Sequence, residues 1–216
     1  MKTPVTRQRI RHHLTYCGWM YILLVIAASF GWNLIYTTTE PRIPPEERLT
    51  FYVTATANSD QPLEDFMQKA WETQFPELKE VEHITVLGSS DRDYTGTVQL
   101  YTYLFSDQGD VYLLKREDFR SYAGPAVCVD LEAYVNDGTL KIPEGMSLNK
   151  GYITLGADFE EMAGERHLYG IPCAALPGFK DKLGIDPSDK YLIVTAYGGN
   201  QANALKFVQY LIDTLQ

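Results

Sequence analysis

Residues 16–36 are uncharged and mostly apolar, and they follow an arm carrying Lys2, Arg7, Arg9, Arg11, His12 and His13. A run of about 20 apolar residues at helical rise crosses the hydrocarbon layer with every backbone group satisfied inside the helix. Residues 37–48, with Pro41, Pro44, Pro45 and two glutamates in 46–47, read as an extended stalk. The pattern then changes. Residues 49–57 are rich in β-branched and aromatic types and predict a buried strand. Asn58, Ser59, Asp60 and Pro62 end it with turn chemistry. Leu63, Phe66, Met67, Ala70 and Trp71 recur at helical spacing, and Glu64 and Asp65 fall in the first turn of the helix they predict.

Further along, residues 81–87 predict a second strand closed by Gly88, Ser89, Ser90 and Asp91, and residues 95–106 fit helix or strand equally by local pattern. A third strand is expected at 110–114 and a short helix at 116–123, stopped by Gly124 and Pro125. Leu131 to Val135 gives one helical turn. Residues 152–155 and 168–172 are strand candidates, and the acidic stretch 158–165 between them reads as a solvated connection. Residues 191–197 predict the last strand, after which Gly198 and Gly199 turn the chain and Asn200 caps a helix whose Ala204, Val208, Leu211 and Leu215 share one face. Strands alternating with helices predict an α/β layer fold. The organisation expected is a basic arm (1–15), a transmembrane helix (16–36), a Pro-rich stalk (37–48) and one α/β domain (49–216).

Charge sets the expected topology. The first acid of the chain is Glu40, whereas four basic residues precede the apolar run, so the positive-inside rule places the arm in the cytoplasm and the α/β domain outside. Tyr16 and Trp19 at one edge of the run, with Trp32 and Tyr36 at the other, suit the two membrane interfaces. A cleaved signal peptide is the competing reading, but aromatic residues and Asn33 follow Ala27, Ala28 and Ser29 where a small-residue cleavage site would stand. From Glu40 onward lie all 28 acids and all but four of the 19 Lys and Arg, a net charge of −13, which makes nucleic acid a poor partner. Membrane lipid, met through residues 16–36, is the partner this segment predicts.

Chemistry is sparse. No Gly-x-Ser-x-Gly, His-Glu-x-x-His, phosphate-binding Gly loop or Cys-x-x-Cys occurs, so no catalysis and no cofactor are expected. His83 and His167 read as surface or structurally satisfied residues, and Asp158, Glu160 and Glu161 as a solvated face rather than a calcium loop. Tyr101, Tyr103, Tyr112, Tyr152, Tyr169, Tyr191 and Tyr197 are expected to fill core with hydroxyls at its rim. Of three cysteines, Cys17 is at the cytoplasmic end of the span; Cys128 and Cys173 are either a disulfide or two separate buried thiols.

The segment Asp110-Val-Tyr-Leu-Leu, then Arg116-Glu-Asp-Phe-Arg-Ser-Tyr-Ala-Gly, then Val129-Asp-Leu-Glu-Ala-Tyr, then Leu168-Tyr-Gly-Ile-Pro resembles, in order and spacing, one lobe of the bacterial extracellular solute-binding proteins, the type 2 periplasmic-binding fold. The resemblance covers residues 49–172. It implies that 95–106 is helical, that the fold is a single three-layer α/β lobe, and that 168–172 is the strand on which such proteins re-enter their first lobe. Full members have two lobes and trap the ligand between them, whereas 44 residues follow Pro172 here.

Open α/β sheets take ligands at the carboxyl ends of their strands. The candidate ligand-binding residues are therefore Asn58, Ser59 and Asp60 after the first strand, Ser89, Ser90, Asp91 and Tyr94 after the second, and Arg116 after the third. The function expected is a membrane-anchored, extracytoplasmic solute-binding-like domain that captures or senses a small polar molecule beside a transporter or sensor. The alternative is a non-enzymatic protein-interaction module derived from one such lobe.

Overall fold

The computed structural model describes residues 7–39, 43–55, 61–87, 94–106, 108–158 and 160–216. The chain divides into two compact units, Met1–Arg42 and Ile43–Gln216. The first is one helix, α1 (Arg7–Thr39), which contains an apolar stretch Thr15–Thr39 long enough to cross a membrane. It overruns the expected stalk by three residues. The backbone stays helical through Thr39 where the composition suggested extended chain, and the hydroxyls of Thr37, Thr38 and Thr39 donate back to the carbonyls of Asn33, Leu34 and Ile35, at 2.8, 2.7 and 2.6 Å. Pro45–Glu47 is a single 3-10 turn rather than extended stalk.

The second unit is built on β1 (Arg48–Ala55), α2 (Gln61–Gln74), β2 (Glu80–Leu87), α3 (Tyr94–Phe105), β3 (Val111–Lys115), α4 (Arg116–Tyr122) and α5 (Glu132–Asn136). It continues with β4 (Tyr152–Thr154), β5 (Arg166–Leu168), β6 (Ile171–Pro172), α6 (Gly178–Leu183), β7 (Lys190–Val194) and α7 (Gln201–Leu215). A five-stranded sheet runs in the order β2-β1-β3-β7-β6, and β4 pairs with β5 in a small hairpin. Strands β1, β2 and β3 are parallel, while β7 is antiparallel to β3 and β6.

Alternation along the strands sorts side chains onto two faces. Leu49, Phe51 and Val53 of β1, with Val111 and Leu113 of β3, join Leu63, Phe66, Met67 and Ala70 of α2, Phe179 of α6 and Phe207, Val208 and Leu211 of α7. Tyr52, Tyr112, Leu114, Tyr191 and Ile193 face the other way, against Leu100 and Leu104 of α3 and Phe119 of α4. The result is a three-layer α/β lobe. Residues 95–106, undecided by local pattern, lie in α3 as far as Phe105, as the resemblance implied. That helix is apolar nearly all round because Leu100 and Leu104 are buried while Val98, Tyr101 and Phe105 stay exposed.

The expected strand 168–172 is two strands, because the N–H groups of Tyr169 and Gly170 turn away from the ladder and both donate to the Gly151 carbonyl, at 3.2 and 3.3 Å. Backbones approach so closely there that a Cβ on Gly151 would sit 1.8 Å from the Gly170 oxygen. Between α5 and β5 the chain leaves the lobe and then folds back over it. Leu140, Leu148 and Tyr152 pack on the α2/α7 side, and Ile153, Leu155 and Met162 on the α4 side.

The tyrosines largely fill core. Tyr112 is fully buried and stacks on Tyr52 at 4.6 Å between centroids, with its hydroxyl donating to the Gln108 carbonyl at 2.6 Å. Tyr191 stacks on Phe119 at the same spacing. Tyr101, by contrast, is half exposed. Cys128 and Cys173 are free thiols on opposite faces of the sheet. The disulfide alternative is corrected accordingly: the sheet lies between the two sulfurs, which leaves two separate buried thiols.

Candidate functional site

The order β2-β1-β3 makes the chain step one way from β1 to β2 and the other way to reach β3. The segment after β1 leads to α2 on one face, and β3 runs directly into α4 on the other. Between the carboxyl ends of β1 and β3 the sheet therefore has a topological switch point, the position at which open α/β sheets take ligands.

Of the residues assigned to this end of the sheet from sequence, Asn58, Ser59, Asp60, Ser89, Ser90 and Asp91 lie outside the described residues. Tyr94 is the first residue of α3, at the carboxyl side of β2. Arg116 opens α4; its Nη2 lies 2.6 Å from Asp189 Oδ1, and its backbone N–H donates to the Asp189 carbonyl at 3.1 Å. Arg116 thus ties the end of β3 to the start of β7.

The residues that occupy the described part of the switch point are different ones. Lys190, first in β7, sends Nζ past β3 to donate to the Thr54 carbonyl, with the Thr54 hydroxyl 3.4 Å away. The Thr54 hydroxyl in turn donates to the Leu113 carbonyl at 2.7 Å. Lys115 is the direct cross-strand partner of Lys190, so two ammonium groups share one end of the sheet. Burial, then the Lys115 charge, pushes the Lys190 ammonium down to about 8, opposed by Asp118. Burial likewise raises the Asp118 carboxyl, against the pull of Lys115 and Lys190. The site therefore pairs partly desolvated charges of both signs with a hydroxyl, which suits a polar organic ligand.

Sequence reasoning missed Lys190 and Thr54. A lysine at the head of a strand looks like any surface charge, and only the antiparallel insertion of β7 beside β3 brings it to the end of β1. Among the described residues no group of three or more His, Cys, Asp or Glu is arranged to hold a metal ion. His167 is a satisfied residue, one of the two expected readings: Nδ1 is 2.7 Å from Asp130 Oδ2, and Nε2 is 3.2 Å from Glu165 Oε2. A separate groove of about 660 Å³ lies over α7, lined by Gln74, Tyr134, Leu205, Lys206, Gln209 and Tyr210 among others.

A mixed sheet with helices on both faces defines a three-layer α/β lobe. Solved structures similar to it are solute-binding proteins. They include an extracellular solute-binding protein family 1 member from Alicyclobacillus acidocaldarius, 19% identical over 61% of this chain and 29% of its own, with a TM-score of 0.42. The ABC substrate-binding protein Lmo0181 from Listeria monocytogenes, solved in complex with cycloalternan, is 20% identical over 57% of this chain and 28% of its own, at 0.34. RafE from Streptococcus pneumoniae, in its apo form, is 15% identical over 61% and 29%, at 0.35. The chain thus spans less than a third of the length of each. No family model matches it, and no curated protein does.

Proposed function

We propose that this chain is a membrane-anchored, extracytoplasmic lobe that captures or senses a small polar molecule at the crevice between the carboxyl ends of β1 and β3. The observation that carries the reading is the switch point itself, occupied by Lys190, Thr54, Lys115 and Asp118. Asn58, Ser59, Asp60, Ser89, Ser90, Asp91, Tyr94 and Arg116 complete the crevice in this reading. Thr15–Thr39 is the anchor, with the basic arm cytoplasmic and Ile43–Gln216 outside, beside a transporter or sensor. No catalytic step is assigned.

The test is a thermal-shift screen of the full chain in lipid nanodiscs against pools of sugars, amino acids and short peptides, since a ligand bound to the native state alone raises Tm. A shift in the wild type that Lys190→Met removes supports the reading; no shift with any pool overturns it. Protease added to intact cells must digest the lobe if it lies outside.

One observation favours a second reading, a protein-interaction module. The segment between α5 and β5 packs back onto both faces of its own sheet, so among the described residues it builds no separate second core of the kind a second lobe would have. Crosslinking in intact membranes separates the two: recovery of one specific protein partner without any ligand response favours the module.

A further inference from the structure

The excursion that carries α5, β4 and β5 leaves and re-enters the lobe through two adjacent segments. On the way out, Val129 N–H donates to the Val194 carbonyl at 2.9 Å, and Leu131 N–H donates to the Leu168 carbonyl at 2.7 Å, which joins the outgoing segment to the returning one. Asp130 lies one step before that joint on the lobe side and His167 one step inside the excursion, and their side chains meet across it: Nδ1 of His167 is 2.7 Å from Asp130 Oδ2. The other ring nitrogen is 3.2 Å from Glu165 Oε2. The histidine side chain is 17% exposed.

A neutral imidazole has one donor and one acceptor nitrogen, whereas the imidazolium has two donors. With a carboxylate at each nitrogen, the neutral ring must turn a lone pair toward one of them. Only the cation satisfies both. Asp130 is fixed independently, because its Oδ1 accepts the Glu132 N–H at 3.0 Å at the start of α5. Around the ring, Tyr169 stacks at 5.8 Å between centroids, and the β4 neighbour across the ladder is Ile153, which has no charge. Arg166 is turned away, over the Tyr152 ring at 4.6 Å and donating to the Asn149 carbonyl at 3.1 Å; the Tyr152 hydroxyl donates to Glu132 Oε1 at 3.2 Å. Asp130 and Glu165 are therefore the charges that meet the ring.

We propose that Asp130, His167 and Glu165 form a proton-operated latch at the neck of the excursion, holding the β4–β5 hairpin down on the lobe when His167 is charged and releasing it when the ring loses its proton. The Asp130 hydrogen bond, then the Asp130 and Glu165 charges, raise the His167 imidazole above its usual value, with burial opposing. A histidine raised in the folded state stabilises fully below its unfolded value and loses that contribution as pH rises through the folded value. The latch is closed on the acid side and loosened on the alkaline side.

The test uses the full chain in detergent micelles, with its four histidines labelled with nitrogen-15 and titrated from pH 5 to 9, alongside hydrogen exchange of the hairpin amides corrected for intrinsic rate. His167 titrates above the range of a free imidazole, and opening of residues 152–168 rises by about tenfold for each pH unit of that displacement. His167→Gln removes the step. Asp130→Asn and Glu165→Gln each move the His167 titration back toward its ordinary value, which a purely structural role would not require. A His167 that titrates at or below the ordinary range overturns the latch, as does an opening step that persists in His167→Gln or, should that variant not fold, one left unmoved by Glu165→Gln.

Discussion

Lys190 and Thr54 are separated by 136 residues and by the whole width of β3, yet the Lys190 ammonium donates to the Thr54 carbonyl at the end of β1. This contact joins the first and last strands of the lobe across the place where a ligand would enter. It ties the sheet end, and in the proposed function the same side chain presents charge to the ligand.

Replacing Lys190 by methionine keeps most of the aliphatic stem and removes the donor. The expected cost is about 1–3 kcal/mol, the penalty for withdrawing the partner of an acceptor on a buried residue. Urea unfolding followed by far-UV circular dichroism measures it. A variant as stable as the wild type would mean that water replaces the ammonium at no cost.

Asp110 predicts a pH dependence of the opposite origin. It is 5% exposed, its Oδ2 accepts the Thr50 N–H at 2.9 Å, and burial pushes its carboxyl up to about 6 against the pull of that hydrogen bond and of Arg48. Its folded value exceeds its unfolded one, so stability is fullest below about 4 and falls as pH rises through about 6. The loss between pH 4 and 7.5 from this group is on the order of 3 kcal/mol. Asp110→Asn retains an acceptor for Thr50 and is expected to be more stable than the wild type at pH 7.5 and to lack this slope. Unfolding curves of both proteins at four pH values decide it.

Gly151 and Gly138 make a contrasting pair. A Cβ on Gly151 would lie 1.8 Å from the Gly170 oxygen, whereas one on Gly138, at φ +81°, meets nothing within 4 Å. Gly138→Ala carries only backbone strain, about 1–2 kcal/mol. Gly151→Ala must separate two backbone segments and is expected to cost more than about 4 kcal/mol, leaving little folded protein. Equal stability losses in the two variants would refute the close approach.

Cys128 and Cys173 are 2% and 0% exposed and free. Intact mass should be unchanged by reductant, and an alkylating reagent should label both thiols in urea but neither in the native lobe. A gain of two mass units on reduction would show a bond that this packing does not allow.

Much of the lobe was legible because its determinants are local. The spacing of Leu63, Phe66, Met67 and Ala70 specifies α2, and the run through Phe51, Tyr52 and Val53 specifies β1, since helical and extended periodicities are properties of neighbours in sequence. The arm, the apolar run of α1 and the lack of familiar catalytic motifs were equally plain. The helix α3 was not, because its exposed face is apolar and its pattern loses the contrast between faces; the resemblance to solute-binding lobes supplied what periodicity withheld. The short α6 (Gly178–Leu183) escaped notice because six residues carry too little pattern to register.

The sequence by itself determined most of the helical and extended segments and where charge accumulates, since these depend on side chains a few positions apart. Tertiary structure alone decided that β7 enters antiparallel beside β3 and brings Lys190 to Thr54. It also decided that Tyr169 and Gly170 give their hydrogen bonds to Gly151, and that His167 closes on Asp130. Each of these joins residues far apart along the chain, and a hydrogen bond selects its partner by distance in space.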